Sequence, residues 1–242
     1  MSEFEKEVQD NIARLGADNV AKKMGYEWIE RVAPNGYMHN FTWLGLPIIQ
    51  LPQDIIALQE IIWRTYPDVI VELGIARGGG LAFYASMLEL NGGGRVIGVD
   101  IDIREPNRIA IEDHAMWGAI EMIEGSSTDI RVVKEVKELI DTYDRVMVCL
   151  DSHHTHEHVL RELELYSPLV TRGCYLVVFD TWLEDLATGT FPDRPWGKGN
   201  NPKTAVWEFF GTGAGKRFEF DKRIQNKLVM TSNPDGYLRC VK

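Results

Sequence analysis

Two aspartates and a run of histidines carry the most chemistry in this sequence. Asp151 ends the apolar run Val146-Met147-Val148-Cys149-Leu150, and Asp180 ends Tyr175-Leu176-Val177-Val178-Phe179. Two carboxylates at the C-terminal edge of a parallel sheet suit a hard divalent cation such as Mg²⁺. A metal there positions a hydroxyl and lowers the pKa of the reacting oxygen. The competing reading is two strand-end caps. Four histidines, His153, His154, His156 and His158, follow Asp151 at once. They admit a transition-metal site, since His154 and His158 would share a face if the segment is helical. They also admit one general base among otherwise solvated or hydrogen-bonded imidazoles. We prefer His154 as the base, three residues beyond Asp151 and near the same crevice.

A second group of residues points to a nucleotide-like ligand. Glu72-Leu73-Gly74-Ile75-Ala76-Arg77-Gly78-Gly79-Gly80 joins a β-branched run to a helix. Glycines at such a turn let backbone approach a ligand, and the helix start offers N–H groups to an anion such as a methionine carboxylate. Glu72 is placed to accept from the ligand's amino group. Arg77 and Gly78 belong to the same turn. Asp100 ends the next strand, where a carboxylate takes the two ribose hydroxyls. Ser126 and Ser127, after the third strand, would border an adenine, although capping of the following helix by Ser127 or Thr128 explains them equally well. Together these residues fit S-adenosylmethionine. The pattern is not the dinucleotide G-x-G-x-x-G, because Ala76 stands where its second glycine would fall.

The elements that must position these groups read as alternating strands and helices. Strands fall at 69–74, 95–100, 121–125, 145–151 and 173–180. Helices fall at 81–90, 132–143 and 157–169, and another opens at Pro52, its apolar face widened by Ile56 and Trp63. Such alternation gives a mostly parallel sheet with right-handed crossovers. Residues 184–200 form a long loop, and with Trp182, Phe191 and Trp196 they suit a lid stacking on a sugar or flat ligand. Asn201-Pro202 caps a helix to about 210. The tail reads as two strands, 218–230 and 237–241, joined by Asn233-Pro234-Asp235-Gly236. The expected fold is therefore α/β and Rossmann-like, with a seven-stranded sheet, helices on both faces and a C-terminal antiparallel hairpin. Residues 1–40 read as a polar helical extension, and 41–242 as the catalytic domain.

Composition excludes several classes. The chain of 242 residues is 45% hydrophobic and carries a formal charge of −10. No basic run invites nucleic acid or an anionic membrane. No apolar stretch reaches the ~18 residues of a membrane helix, and the charged N-terminus lacks a signal core. Cys149, Cys174 and Cys240 form no metal-type pair, which fits a reducing cytoplasm. Aromatic residues near the N-terminus leave room for a homo-oligomer.

The segments Asp151-Ser152-His153-His154-Thr155-His156-Glu157-His158 and Val177-Val178-Phe179-Asp180-Thr181 resemble the cephalosporin hydroxylase/rhamnosyl O-methyltransferase family. Trp43-Leu44-Gly45, Glu72-Leu73-Gly74 and Asn233-Pro234-Asp235-Gly236-Tyr237-Leu238 fit it too. The resemblance spans about residues 40–242. It implies a class I methyltransferase similar to metal-dependent sugar O-methyltransferases. S-adenosylmethionine would bind at Glu72, Gly74 and Asp100, and Mg²⁺ at Asp151 and Asp180. The family's Asp-x-x-His pattern falls on Asp151 and His154, implying His154 as base. Related enzymes carry Glu-Asp where this chain has Phe179-Asp180, so one carboxylate is missing. The expected activity is methyl transfer to a hydroxyl of a sugar-type acceptor. A non-catalytic adenosyl-binding subunit and an NAD-dependent oxidoreductase are the alternatives.

Overall fold

A computed structural model describes residues 2–242. Its central sheet has the order β5-β4-β3-β6-β7-β9-β8. The strands are β3 (Val69–Leu73), β4 (Arg95–Asp100), β5 (Ile120–Glu124), β6 (Val146–Leu150), β7 (Tyr175–Val178), β8 (Phe218–Phe220) and β9 (Tyr237–Cys240). The pairings among β3 to β7 are parallel, and β9 runs antiparallel to both β7 and β8. A short hairpin, β1 (Phe41–Trp43) with β2 (Leu46–Ile48), stands apart from this sheet.

Strand periodicity explains the layers. Ile70, Met147 and Cys149 pack on one face, with α3 (Pro52–Thr65), α4 (Gly79–Leu90) and α5 (Glu105–Glu112). Val69, Val71, Leu73, Val146, Val148 and Leu150 face the other, under α6 (Ile130–Ile140), α7 (His156–Tyr166) and α8 (Pro202–Phe210). The N-terminal helices α1 (Glu3–Ala17) and α2 (Asn19–Val32) dock onto this body. Buried Ile29 joins Leu51, Trp182 and Met230 in a third apolar cluster.

Four local expectations change. The expected strand at 218–230 ends at Phe220, and α9 (Lys222–Leu228) follows, with the Asp221 side chain accepting from Arg223 N. Helix α5, which Pro106 opens, is an element the sequence reading lacked. Ile56 and Trp63 do not widen a buried face of α3, since both are more than half exposed. Neither Ser127 nor Thr128 caps α6, because Asp129 does, accepting from Arg131 N.

Candidate active site

The sheet order reverses between β3 and β6, and a cleft of about 640 Å³ opens beyond their C-terminal ends. That volume suits a ligand the size of a nucleoside derivative. Gly74 makes the floor. Its φ is +100°, and a Cβ there would lie 2.1 Å from Asp151 O, so a side chain is barred. Sheet hydrogen bonding runs on past the strand ends, with Gly74 N donating to Val99 O and Asp151 N to Leu73 O, each at 2.8 Å.

Among the expected ligand-binding residues, Gly74, Asp100, Ser126, Ser127 and Asp151 line this cleft. Asp100 Oδ2 also accepts from Ile75 N (2.8 Å) and Ala76 N (3.2 Å), tying the glycine turn to β4. Ala76 itself takes a left-handed φ of +50°, a conformation uncommon for a residue with a side chain. Ser127 Oγ points into a buried network, donating to Glu162 Oε1 and lying 3.1 Å from His158 Nε2.

Glu72, Arg77 and Gly78 lie off the cleft wall. Arg77 is exposed, whereas the carboxylate of Glu72 is buried beneath the turn, where a Cβ on Gly80 would meet Glu72 Oε1 at 2.3 Å. Among the described residues Glu72 Oε2 has no hydrogen-bond partner. Burial, with Asp100 adding repulsion, pushes this carboxyl well above the usual carboxylate range. The first turn of α4 is packed against β2, since a Cβ on Gly79 would lie 2.3 Å from Pro47 O.

On the chemical side, Asp151, His154 and Asp180 each bring a ligand atom within 4.8 Å of the others. Helix α7 starts only at His156, so His154 lies in the preceding loop and shares no helical face with His158. Its Nε2 sits 3.2 Å from Asp180 Oδ2. His158 instead joins Glu162, and His156 lies within hydrogen-bond distance of Thr204 and Glu208 on α8. The paired-histidine metal site is thus not formed.

Asp151 Oδ2 accepts from Gln50 Nε2 at 3.0 Å. Burial, then Asp180, then Glu72 push the Asp151 carboxyl well above its ordinary value. Among the described residues no Lys or Arg pairs with Asp151 or Asp180. Two converging carboxylates with no Lys or Arg partner among the described residues, beside an imidazole, form a donor set that fits a hard divalent ion.

The 184–200 loop packs against the histidine of this triad. Trp196 meets His154 edge to face at 4.9 Å, and the Arg194 guanidinium stacks 5.2 Å from the Trp196 ring. Phe191, Arg194 and Trp196 line the cleft with Trp182. The sequence reading missed Met38, His39, Ile49 and Gln50, which reach the site from before β3. No spacing rule marks them, because only tertiary packing brings that segment to the sheet edge.

A parallel sheet that closes with an antiparallel strand between its last two members, with its cleft at the switch point, defines a class I methyltransferase. The chain matches the family described as Rhamnosyl O-methyltransferase/CmcI over residues 35–241. It therefore belongs to the rhamnosyl O-methyltransferase/CmcI family and is an S-adenosylmethionine-dependent O-methyltransferase.

Relatives agree with this. A rhamnosyl O-methyltransferase of Mycobacterium leprae (strain TN) is 31% identical over 200 residues, 81% of this chain and 82% of that protein. The rhamnosyl O-methyltransferase of Mycobacterium tuberculosis (strain ATCC 25618 / H37Rv) is 29% identical over 200 residues, 81% of this chain and 77% of that protein. The fold is also that of an apo CmcI structure, at a TM-score of 0.59, 19% identity and coverage of 84% and 77%. A CmcI structure with Mg and SAM aligns at a TM-score of 0.56, 20% identity and coverage of 84% and 78%.

Proposed function

We propose that the cleft passes the methyl group of S-adenosylmethionine to a hydroxyl of a sugar-type acceptor, with Mg²⁺ held by Asp151 and Asp180 and His154 taking the hydroxyl proton. The observation that carries this reading is the convergence of Asp151, His154 and Asp180 on one side of the ligand-sized cleft. The rhamnosyl naming of the relatives supports a sugar acceptor.

Each residue then has a physical task. Gly74 lets the ligand lie against backbone, and Asp100 offers carboxylate oxygens to ribose hydroxyls at the end of β4. Ser126 and Ser127 border the adenine. When bound, Mg²⁺ supplies Lewis-acid orientation of the acceptor oxygen and makes its proton easier to lose. His154 stands beside Asp180, its Nε2 3.2 Å from Asp180 Oδ2, and takes the proton that the acceptor hydroxyl gives up. Phe191 and Trp196 cover the site, shed water from it and offer rings to a sugar face. Alignment of hydroxyl and methyl group supplies much of the acceleration.

The grouping of His154 with both aspartates favours a second role, in which its imidazole is a third metal ligand. The subsidiary readings, a non-catalytic subunit and a nicotinamide enzyme, have no observation in their favour. The three cysteines are free and buried, which supports a cytoplasmic setting. No helix of the described residues is long and apolar enough to cross a membrane.

The test is calorimetric titration with S-adenosylhomocysteine, with and without Mg²⁺, followed by labelled-methyl transfer to a panel of sugars. Micromolar binding, about −8 kcal/mol, with transfer to a sugar hydroxyl is the expected result. Absence of binding in both conditions overturns the reading.

A further inference from the structure

The segment 231–236 contains Asn233-Pro234-Asp235-Gly236, lies off the cleft lining and has no part in the chemistry above. It packs directly behind Asp180. Three consecutive residues after β7 are tied to it: Asp180 N donates to Asn233 Oδ1 at 3.1 Å, Thr181 Oγ1 to Pro234 O at 2.7 Å, and Trp182 N to Ser232 O at 3.1 Å. Asp180 needs such support, because its φ of +54° is a left-handed conformation that a side-chain-bearing residue keeps only when its surroundings enforce it.

The support is itself anchored on a buried carboxylate. Asp54 on α3 accepts from Ser232 N and Ser232 Oγ, both at 2.8 Å, from Tyr237 Oη at 3.0 Å, and from Thr231 Oγ1. Asn233 N donates to Thr231 Oγ1 at 3.0 Å, and Asn233 Nδ2 to Tyr237 Oη at 3.3 Å. Asp54, Thr231, Ser232, Asn233 and Tyr237 are all buried. Gly236 lets this loop lie against β7, since a Cβ there would be 2.1 Å from Val178 O. Burying so many polar groups is costly unless all are paired, and an apolar plug would fill the space more cheaply.

We propose that Asn233, fixed by the Asp54–Thr231–Ser232–Tyr237 cluster, is a positioning residue that holds Asp180 in the conformation that presents its carboxylate to the metal. This rests on the reading of Asp180 as a metal ligand. Asn233 touches neither ligand nor reacting atoms. It acts through the Asp180 backbone, in the way outer partners orient ligating carboxylates.

The test compares wild type, Asn233→Leu, which keeps bulk and removes the acceptor, and the milder Tyr237→Phe. Mn²⁺ binding is measured by paramagnetic resonance, S-adenosylhomocysteine binding by calorimetry, and exchange of the Asp180 and Trp182 amides by mass spectrometry. We expect Asn233→Leu to weaken Mn²⁺ by about tenfold or more, to speed exchange at these amides and to keep ligand affinity within about twofold. Tyr237→Phe shifts Mn²⁺ affinity in the same direction by a smaller factor. Wild-type Mn²⁺ affinity and exchange in both variants would overturn the proposal, as would equal loss of Mn²⁺ and ligand. A wild type that binds no Mn²⁺ sinks the metal reading itself, and the exchange data then judge the clamp alone, unchanged exchange refuting it.

Discussion

The indole N–H of Trp182 donates to Asp180 Oδ1 at 2.7 Å, while Asp180 Oδ2 lies 3.2 Å from His154 Nε2. One carboxylate is thus oriented by two neighbours, one just after it in the chain and one from the loop after β6. Trp182 is 1% exposed, so its ring also fills the core beneath the site. Replacing it with Phe removes the donor and leaves a void. We expect Trp182→Phe to weaken Mn²⁺ binding several-fold and to lower the melting temperature by several degrees, since a charge-assisted hydrogen bond is worth about 1.5–3 kcal/mol and the lost packing adds to it. Unchanged Mn²⁺ affinity would show that the indole serves the core alone.

His154→Ala separates the two roles open to this imidazole. Loss of a general base lowers turnover by roughly 10²–10⁴-fold and leaves S-adenosylhomocysteine and Mn²⁺ affinities near wild type. Loss of a metal ligand lowers Mn²⁺ affinity together with turnover. If ligand affinity fell as far as turnover, neither role would stand.

Glu72 predicts a pH signature. Its carboxyl is buried and, with Asp100 adding repulsion, is held well above the usual range. The unfolded chain ionises this group near pH ~4.3, whereas the folded chain keeps its proton to a higher pH. Stability is therefore lost as pH rises between those two points, at about 1.4 kcal/mol per pH unit for one group. Glu72→Gln should flatten this decline and melt higher than wild type at neutral pH. Parallel melting curves from pH 5 to 8 would refute the assignment. In the same variant, retained S-adenosylhomocysteine affinity makes Glu72 a support for the turn, and roughly tenfold loss assigns it to the ligand's amino group.

Glu162 joins two loops of the cleft. Its Oε1 accepts from Ser127 Oγ at 2.5 Å and Ser152 Oγ at 2.6 Å, and His158 Nε2 lies 3.2 Å away. Glu162→Ala orphans these groups at about 1–3 kcal/mol for each one left buried and unpaired. At about 2–4 °C per kcal/mol for a chain of this size, thermal scanning should show a drop of several degrees. Binding of S-adenosylhomocysteine should weaken as the Ser126–Ser127 loop loosens. A variant with wild-type melting and affinity would remove Glu162 from this role.

The lid makes a prediction about the acceptor. Trp196 spans from Arg194 to His154. Trp196→Ala should raise the KM for the sugar acceptor about tenfold, in keeping with loss of one stacking contact, with little effect on S-adenosylhomocysteine binding. Steady-state kinetics with each substrate varied in turn decide this. A rise confined to the methyl donor's KM would relocate the lid to the other end of the cleft.

The sequence alone determined the parallel core and the address of the site. Runs such as Val69-Ile70-Val71 and Val146-Met147-Val148 are apolar on both faces, and only a central parallel strand buries both. Gly74, Asp100, Asp151 and Asp180 therefore had to fall at one sheet edge, and they do. Local pattern failed where long-range contacts set the outcome. The stretch 218–230 has strand-like residues, but Asp221 accepts from Arg223 N and from Tyr175 Oη on β7, which starts a helix after three residues of strand. Ile56 and Trp63 stayed exposed because, among the described residues, no element covers that side of α3. The four histidines are equivalent in sequence, yet the late start of α7 sends His154 to Asp180, His156 to α8 and His158 to Glu162, and leaves His153 beside Thr155. Likewise Met38 and His39 enter the cleft, Gln50 reaches Asp151, and Asn233 reaches Asp180, across distances in sequence that no spacing encodes. Side-chain periodicity is a property of the local backbone and survives in the string of residues. Which polar atoms meet is settled by packing of the whole chain, and that is where His154 and the Asp180 clamp were decided.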